Sequence, residues 1–246
     1  MRVKCIVSYD GTRFSGYQVQ PNKRTVQSEI EAVLTKLHKG QPIKIHASGR
    51  TDAYVHAVGQ VIHFDTNLMI PPEKWPYALN SLLPNDIVIL EAEYVADHFH
   101  SRYDVRKKEY RYKLSTQKMP DVFKRDYSYH FPYKLDVEMM RKACHHLCGT
   151  HDFTSFCVAK TEVVDKVRTI YSIDIIEEET DLIFCFTGNG FLYNMVRILM
   201  GTLLEIGQGK KTPDQIPAIL EGKDRSLSGK TAPGHGLYLW KVYYDN

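Results

Sequence analysis

The chain has 246 residues, of which 43% are hydrophobic and 25% charged, and its formal net charge is +3 at pH 7. These proportions match soluble globular proteins and exclude disordered and fibrous classes. No run approaches the roughly eighteen consecutive apolar residues of a membrane-spanning helix, and a charge this small permits an anionic partner without demanding one.

In chain order, Val3–Tyr9 alternates as a strand, Gly11–Gln20 reads as a glycine-containing loop, and Val26–Leu37 is a helix with Ile30, Val33, Leu34 and Leu37 on one face. Thr25 is the expected N-cap, its hydroxyl taking an orphan N–H of the first turn. Strands are predicted near Ile43–Ala47 and Gln60–Asp65. A second helix follows Pro71–Pro72 and reaches Leu82 or Leu83, and a strand covers Ile87–Tyr94. The order then repeats, with a strand over Tyr110–Ser115 and a helix over Val137–Leu147 behind Asp136 as N-cap. Strands Arg168–Glu177 and Leu182–Thr187 flank the acidic turn Glu178–Asp181, and helix Phe191–Ile206 and the closing strand Leu237–Tyr244 complete the set. Each half reads β-α-β-β-α-β, the ferredoxin-like arrangement. The expected fold class is therefore α+β, with two ferredoxin-like halves forming domains 1–105 and 106–246. Residues 207–234, rich in Gly, Lys, Pro and Ser, are expected to be a surface loop with a short helix near Pro213–Leu220. The N-terminus enters its first strand without a signal or transit pattern, which predicts an intracellular, cytoplasmic protein.

The five cysteines are an odd number, none in a C-x-x-C pair, and a disulfide framework is not expected without a secretion signal. Cys144 and Cys148 fall at i and i+4 on the helix beside Met140 and Leu147, as buried core residues do. Among the histidines, His56 and His63 are seven apart and His98 with His100 forms H-x-H, but no ligand falls at a recurring zinc-site spacing. No metal site is predicted.

The segment Ser48–Ala57 lies between two predicted strands and holds a cation, a hydroxyl and a carboxylate at Arg50, Thr51 and Asp52. Loops fixed by a rigid sheet commonly carry catalytic groups, although an aspartate there serves equally well as a turn residue. The stretch Arg102–Lys113 has six Lys/Arg among twelve residues, interleaved with Tyr103, Tyr110 and Tyr112. Such a ribbon suits RNA or a solvated face. Residues 1–105 hold 11 basic and 11 acidic side chains, and residues 106–246 hold 21 and 18, so the whole net charge lies in the second half.

Ser48-Gly49-Arg50-Thr51-Asp52-Ala53-Tyr54-Val55-His56-Ala57 resembles the G-R-T-D-A-G-V-H-A signature of the TruA family of tRNA pseudouridine synthases. Further blocks follow in family order: Tyr9–Gln18, Arg24–Gln27, Phe99–Arg102, Tyr110–Tyr112, Gly149–Phe153 with Phe156, Arg168–Ile170, Met195–Arg197 and Gly236–Leu239. The resemblance implies a pseudouridine synthase fold with a central cleft between the two halves. It implies isomerisation of uridine to pseudouridine at positions 38, 39 and 40 of the tRNA anticodon stem-loop, without metal or cofactor. It also implies a homodimer in which one tRNA contacts both subunits. Asp52 matches the family's catalytic aspartate, Arg197 the arginine that pairs with it, and Tyr110 the active-site tyrosine. Arg50 and Thr51 flank the carboxylate and are expected to meet RNA, together with Lys23, Arg24, Arg102, Lys107, Lys108 and Arg168.

Three positions depart from the pattern. Tyr17 replaces a tryptophan, and Gly234 replaces a proline or alanine. Tyr54 stands where the signature has glycine, which costs about 1–2 kcal/mol if φ there is positive. Tyr54 also motivates the alternative expectation, a non-catalytic or altered-specificity RNA-binding paralogue on the same scaffold.

Overall fold

The computed structural model describes residues 1–158 and 163–245. In chain order the strands and helices are β1 (Arg2–Tyr9), α1 (Val26–Leu37), β2 (His46–Ala47), β3 (His56–Asp65), α2 (Trp75–Asn80), β4 (Ile87–Val95), β5 (Lys107–Ser115), β6 (Tyr129–His130), α3 (Val137–Leu147), β7 (Gly149–Asp152), β8 (Val167–Glu177), β9 (Asp181–Gly188), α4 (Met195–Gly207), α5 (Gln215–Gly222) and β10 (Leu237–Tyr243). They group into two compact units, Met1–Arg106 with Tyr238–Asn246, and Lys107–Leu237.

In the first unit β1 is the central strand, antiparallel to β3 on one side and β4 on the other. β2 pairs antiparallel with β3, which gives the 4-1-3-2 order of a ferredoxin-like sheet. Strict alternation along β1 buries Val3, Cys5, Val7 and Tyr9. α1 buries Val26, Ile30, Val33 and Leu34, and Thr25 caps it in a reciprocal box with Ser28. β2 is shorter than the expected Ile43–Ala47, and the Ile45 N–H donates to Glu31 Oε1 at 3.1 Å instead of to a strand. α2 stops at Asn80, whose side chain donates to and accepts from the Ile89 backbone at 2.9 and 2.8 Å. β10, read from sequence as the close of the second set, pairs in parallel with β3, Tyr238 opposite His56 and Leu239 opposite Ala57.

The second unit repeats the order as β5-α3-β8-β9-α4. β9 lies between β5 and β8, β7 lies outside β8, and all these pairs are antiparallel. Asp136 caps α3 as expected, accepting the Met139 N–H at 3.0 Å. α4 begins at Met195 rather than Phe191, because Asn194 takes φ 60° and the preceding segment is not helical. Residues 207–234 carry the short helix expected near Pro213–Leu220, as α5, but are not the surface loop expected from their composition. Within them α5 buries Ile216, Ile219 and Leu220, the Gly229 N–H donates to Thr202 Oγ1 at 2.9 Å, and buried Ser155 donates to the Ile219 carbonyl at 2.6 Å. The i, i+3, i+4 spacing of those apolar residues outweighs the polar composition around them. Cys5, Cys144, Cys157 and Cys185 are buried, Cys148 is partly exposed, and all five are free thiols.

Candidate functional site

The loop between β2 and β3 carries Arg50, Thr51 and Asp52, and buried polar contacts fix its floor. Ser48 is fully buried and donates to Gln60 Oε1 at 2.6 Å, while Gln60 Nε2 donates to the Gly49 carbonyl at 2.8 Å. Thr51 is 7% exposed, its hydroxyl 2.7 Å from that of Tyr9. Burial holds the Tyr9 phenol well above its ordinary pKa despite hydrogen bonds to Thr51 and Gln60, so it stays protonated. The Tyr17 N–H donates to the Thr51 carbonyl at 3.0 Å.

Two glycines of the first loop press backbone against this segment. A Cβ on Gly11 would lie 2.1 Å from the Val55 carbonyl oxygen, and one on Gly16, at φ +96°, would lie 3.0 Å from that of Thr51. Only residues without a side chain allow that approach. The Gly11 N–H donates to Nδ1 of buried His56 at 3.0 Å, which ties the two loops at the start of β3.

Asp52 is partly exposed and opens a tight turn in which the Val55 N–H donates to the Asp52 carbonyl at 3.2 Å. Tyr54 is the third residue of this turn, with φ +67° and 58% exposure. The positive φ identified from sequence as the costly alternative is thus the one adopted. Arg50 is exposed on the other side of Thr51. The result is a carboxylate on a hydrogen-bonded turn that also carries an aromatic ring, with a cation two residues before it in the same loop.

In the second unit Tyr110 lies on β5, 8% exposed, with the ring of Phe191 edge-on at 5.2 Å. Tyr112, on the same face of β5, is fully buried and donates to the Pro233 carbonyl at 2.8 Å. Burial raises its pKa well above the ordinary tyrosine value, with Arg197 pulling it down. Tyr112 is therefore a core residue. Arg197 is partly exposed on an otherwise buried helix face, its Nε donating to the Ala232 carbonyl and its Nη1 to Asn194 Oδ1, both at 2.8 Å. Two fixed donors leave a planar guanidinium little freedom to turn.

The expected RNA-contacting cations differ in how they are held. Lys23, Arg102 and Lys107 are exposed and Lys108 is partly so. Arg24 grips Asp86 with both Nη atoms at 2.7 and 2.9 Å, bonds Glu29 at 2.8 Å, and lies 4.2 Å over the Phe14 ring. Hydrogen bonding to Asp86 raises its pKa above an already high value. Arg168 turns back on its own loop, Nη1 donating to the Asp165 and Val167 carbonyls at 3.1 and 2.6 Å. Residues that sequence reasoning passed over are Tyr9, Ser48 and Gln60 under the first loop, and Asn194 beside Arg197. The available signals were a glutamine inside an apolar strand and an asparagine directly before a helix. Among the described residues no group of three or more His, Cys, Asp or Glu is placed to hold a metal ion.

A sequence profile described as tRNA pseudouridine synthase matches residues 5–104 and 143–245. The tRNA pseudouridine synthase A of Bacillus subtilis (strain 168) is 63% identical over 247 residues, covering 100% of both chains. The tRNA pseudouridine synthase A 1 of Bacillus cereus (strain ATCC 14579) is 59% identical over 245 residues, covering 100% of this chain and 99% of that one. Among solved structures, a chain from a Cbf5-Nop10-Gar1 complex overlays with a TM-score of 0.35 at 13% identity, across 82% of this chain and 54% of that chain. With the signature loop folded around Asp52 and similarity running the full length of the curated relatives, the chain belongs to the tRNA pseudouridine synthase family.

Proposed function

We propose that the protein isomerises uridine to pseudouridine in the tRNA anticodon stem-loop, at positions 38, 39 and 40, with Asp52, Tyr110 and Arg197 as its catalytic residues. In this reaction the N1–C1′ glycosidic bond breaks, the uracil turns, and a C5–C1′ bond forms. The C5 proton leaves to water and N1 takes one up, so the product is an isomer of the substrate. Asp52 supplies the carboxylate required at the sugar–uracil link, as nucleophile toward the ribose or as base. Such a carboxylate stays ionised in a dry pocket only with a cation nearby, and Arg197, oriented by Asn194 and Ala232, is the residue assigned to that task. Tyr110 offers the flat surface on which a detached uracil stacks, an interaction worth about 1–3 kcal/mol per base. In this reading domain 1–105 brings the carboxylate, and domain 106–246 brings the tyrosine and arginine.

Arg50, Thr51, Lys23, Arg102, Lys107 and Lys108 are assigned to the RNA backbone. Arg24 and Arg168 join that set with guanidinium groups already engaged by protein acceptors. Two copies of the chain sharing one tRNA, in the cytoplasm, complete the proposal. None of the described helices is long and apolar enough to cross a membrane.

The observation that carries this reading is the signature loop, departing from the family pattern only at Tyr54, with Asp52 on a turn buttressed by Tyr9, Gly11 and Gly16. It gives the non-catalytic alternative no support. The test is a tRNA transcript tritiated at uracil C5. Tritium is expected to be released by the wild type and not by Asp52→Ala; a wild type that releases none at any dose overturns the proposal.

A further inference from the structure

Five residues other than glycine adopt positive φ among those described: Asn22, Lys39, Tyr54, Asn194 and Lys223. Asparagine tolerates this region because its short side chain bonds locally. Lys39 and Lys223 sit just past the ends of α1 and α5, where chains commonly turn left-handed to stop a helix. Tyr54 fits neither explanation. It occupies the third position of the turn closed by Val55 N–H and the Asp52 carbonyl, a position that selects glycine when φ is positive. A strained backbone bearing a bulky ring persists only where the surroundings enforce it, and such outliers gather at functional sites. Here the enforcement is visible, since Val55 is buried and its carbonyl abuts Gly11, while Gly16 abuts Thr51 and Ala53.

The ring itself is not what the fold requires. Tyr54 is 58% exposed, on the same turn as the carboxylate and two residues beyond it. Packing therefore does not account for an aromatic side chain at this position. Exposed aromatic rings beside a cationic site are the usual platform for unpaired nucleobases, and Arg50 supplies the cation on the same loop.

We propose that Tyr54 is a specificity-determining residue that stacks on the nucleotide neighbouring the target uridine. This rests on the reading of the protein as a tRNA-modifying enzyme. The ring holds the neighbour after the target leaves the helical stack, so the chain favours uridines flanked by a purine, which stacks more strongly.

The test uses an anticodon stem-loop RNA carrying 2-aminopurine next to the target uridine, whose fluorescence is quenched by stacking. The full-length wild type is expected to quench it, Tyr54→Phe to preserve the quench, and Tyr54→Ala and Tyr54→Gly to abolish it. The last two variants are expected to raise Kd for the RNA about five-fold or more. Tyr54→Gly is further expected to melt at the wild-type temperature or about 2–4 °C above it, because glycine relieves the strain. Ala and Gly variants that quench and bind like the wild type overturn the proposal. So does a Gly variant melting well below wild type, which would mark the ring as packing. A wild type that makes no pseudouridine while its quench follows Tyr54 would sink the enzymatic reading, and with it the specificity role, and leave only the stacking contact standing; a wild type that does not bind the RNA sinks both.

Discussion

The hydroxyls of Tyr9 and Thr51 share a buried 2.7 Å hydrogen bond, joining the end of the first strand to the residue before Asp52. Removing one partner leaves the other buried and unpaired, which costs about 1–3 kcal/mol. Tyr9→Phe is expected to lower stability by roughly 1–2 kcal/mol in urea unfolding. It is also expected to slow tritium release about ten-fold as the carboxylate loses its fixed geometry. Thr51→Val should do the same, and the double variant should cost less than the sum of the two, as coupled neighbours do.

Tyr17 is the opposite case. Its hydroxyl is buried with no hydrogen-bond partner among the described residues, and burial raises its pKa far above the ordinary value. Tyr17→Phe removes an unsatisfied group, so it is expected to match the wild type or exceed it by up to about 1 kcal/mol. A loss of stability comparable to that of Tyr9→Phe would contradict this.

His63 predicts an acid-sensitive fold. Its Nδ1 accepts the Ser101 N–H at 3.1 Å, His46 stacks on it at 4.9 Å, and His100 meets it edge-on at 4.7 Å. Burial first, then the positive charges of Arg2, His100 and His46, hold its pKa down at about 4. An unfolded chain binds that proton near pH 6.5, so its contribution to stability is full above that pH and is lost as pH falls toward 4. The loss amounts to roughly 3 kcal/mol at most. His63→Asn keeps an acceptor for Ser101 and removes the titration. Urea midpoints between pH 7.5 and 4.5 should fall less steeply for this variant than for the wild type.

Arg50 and Arg24 separate by salt dependence. A cation that meets phosphate adds about 0.9 to the slope of log K against log salt. Arg50→Ala is expected to reduce that slope by about 1 without changing thermal stability. Arg24→Ala, which breaks the clasp on Asp86 and Glu29, is expected to cost about 1 kcal/mol of stability and to reduce the slope by less than Arg50→Ala does, because its guanidinium is shared with protein carboxylates. Filter binding of tRNA across 50–300 mM salt, an interval of roughly the size that resolves single phosphate contacts, checks both.

Much of this architecture was legible locally. Alternation located β1, β4, β8 and β9, and Thr25 and Asp136 marked the starts of α1 and α3 because capping depends only on the next three residues. The signature loop located Asp52 for the same reason. What escaped depends on distant partners. Arg24 reads as a free cation until the chain brings Asp86 against it, 62 residues away. Gln60 reads as an interruption in an apolar strand until Ser48 and Gly49 claim both ends of its amide. β10 carries the pattern of a strand but nothing in it names β3 as its neighbour. Tyr54 shows a substitution in sequence, yet its strain emerges only with the turn that Val55 closes.

The parallel pairing of β10 with His56 and Ala57 also sets a schedule. These two residues directly follow the Asp52 turn, and the strand that locks them comes only after residues 107–237 in the chain. While residues 107–237 are being translated, the strand leaving the Asp52 loop lacks its β10 neighbour. The first unit is therefore completed only by a strand that follows the whole of the second unit in sequence, so any cut or chain break within residues 107–237 would part the Asp52 turn from the strand that flanks it.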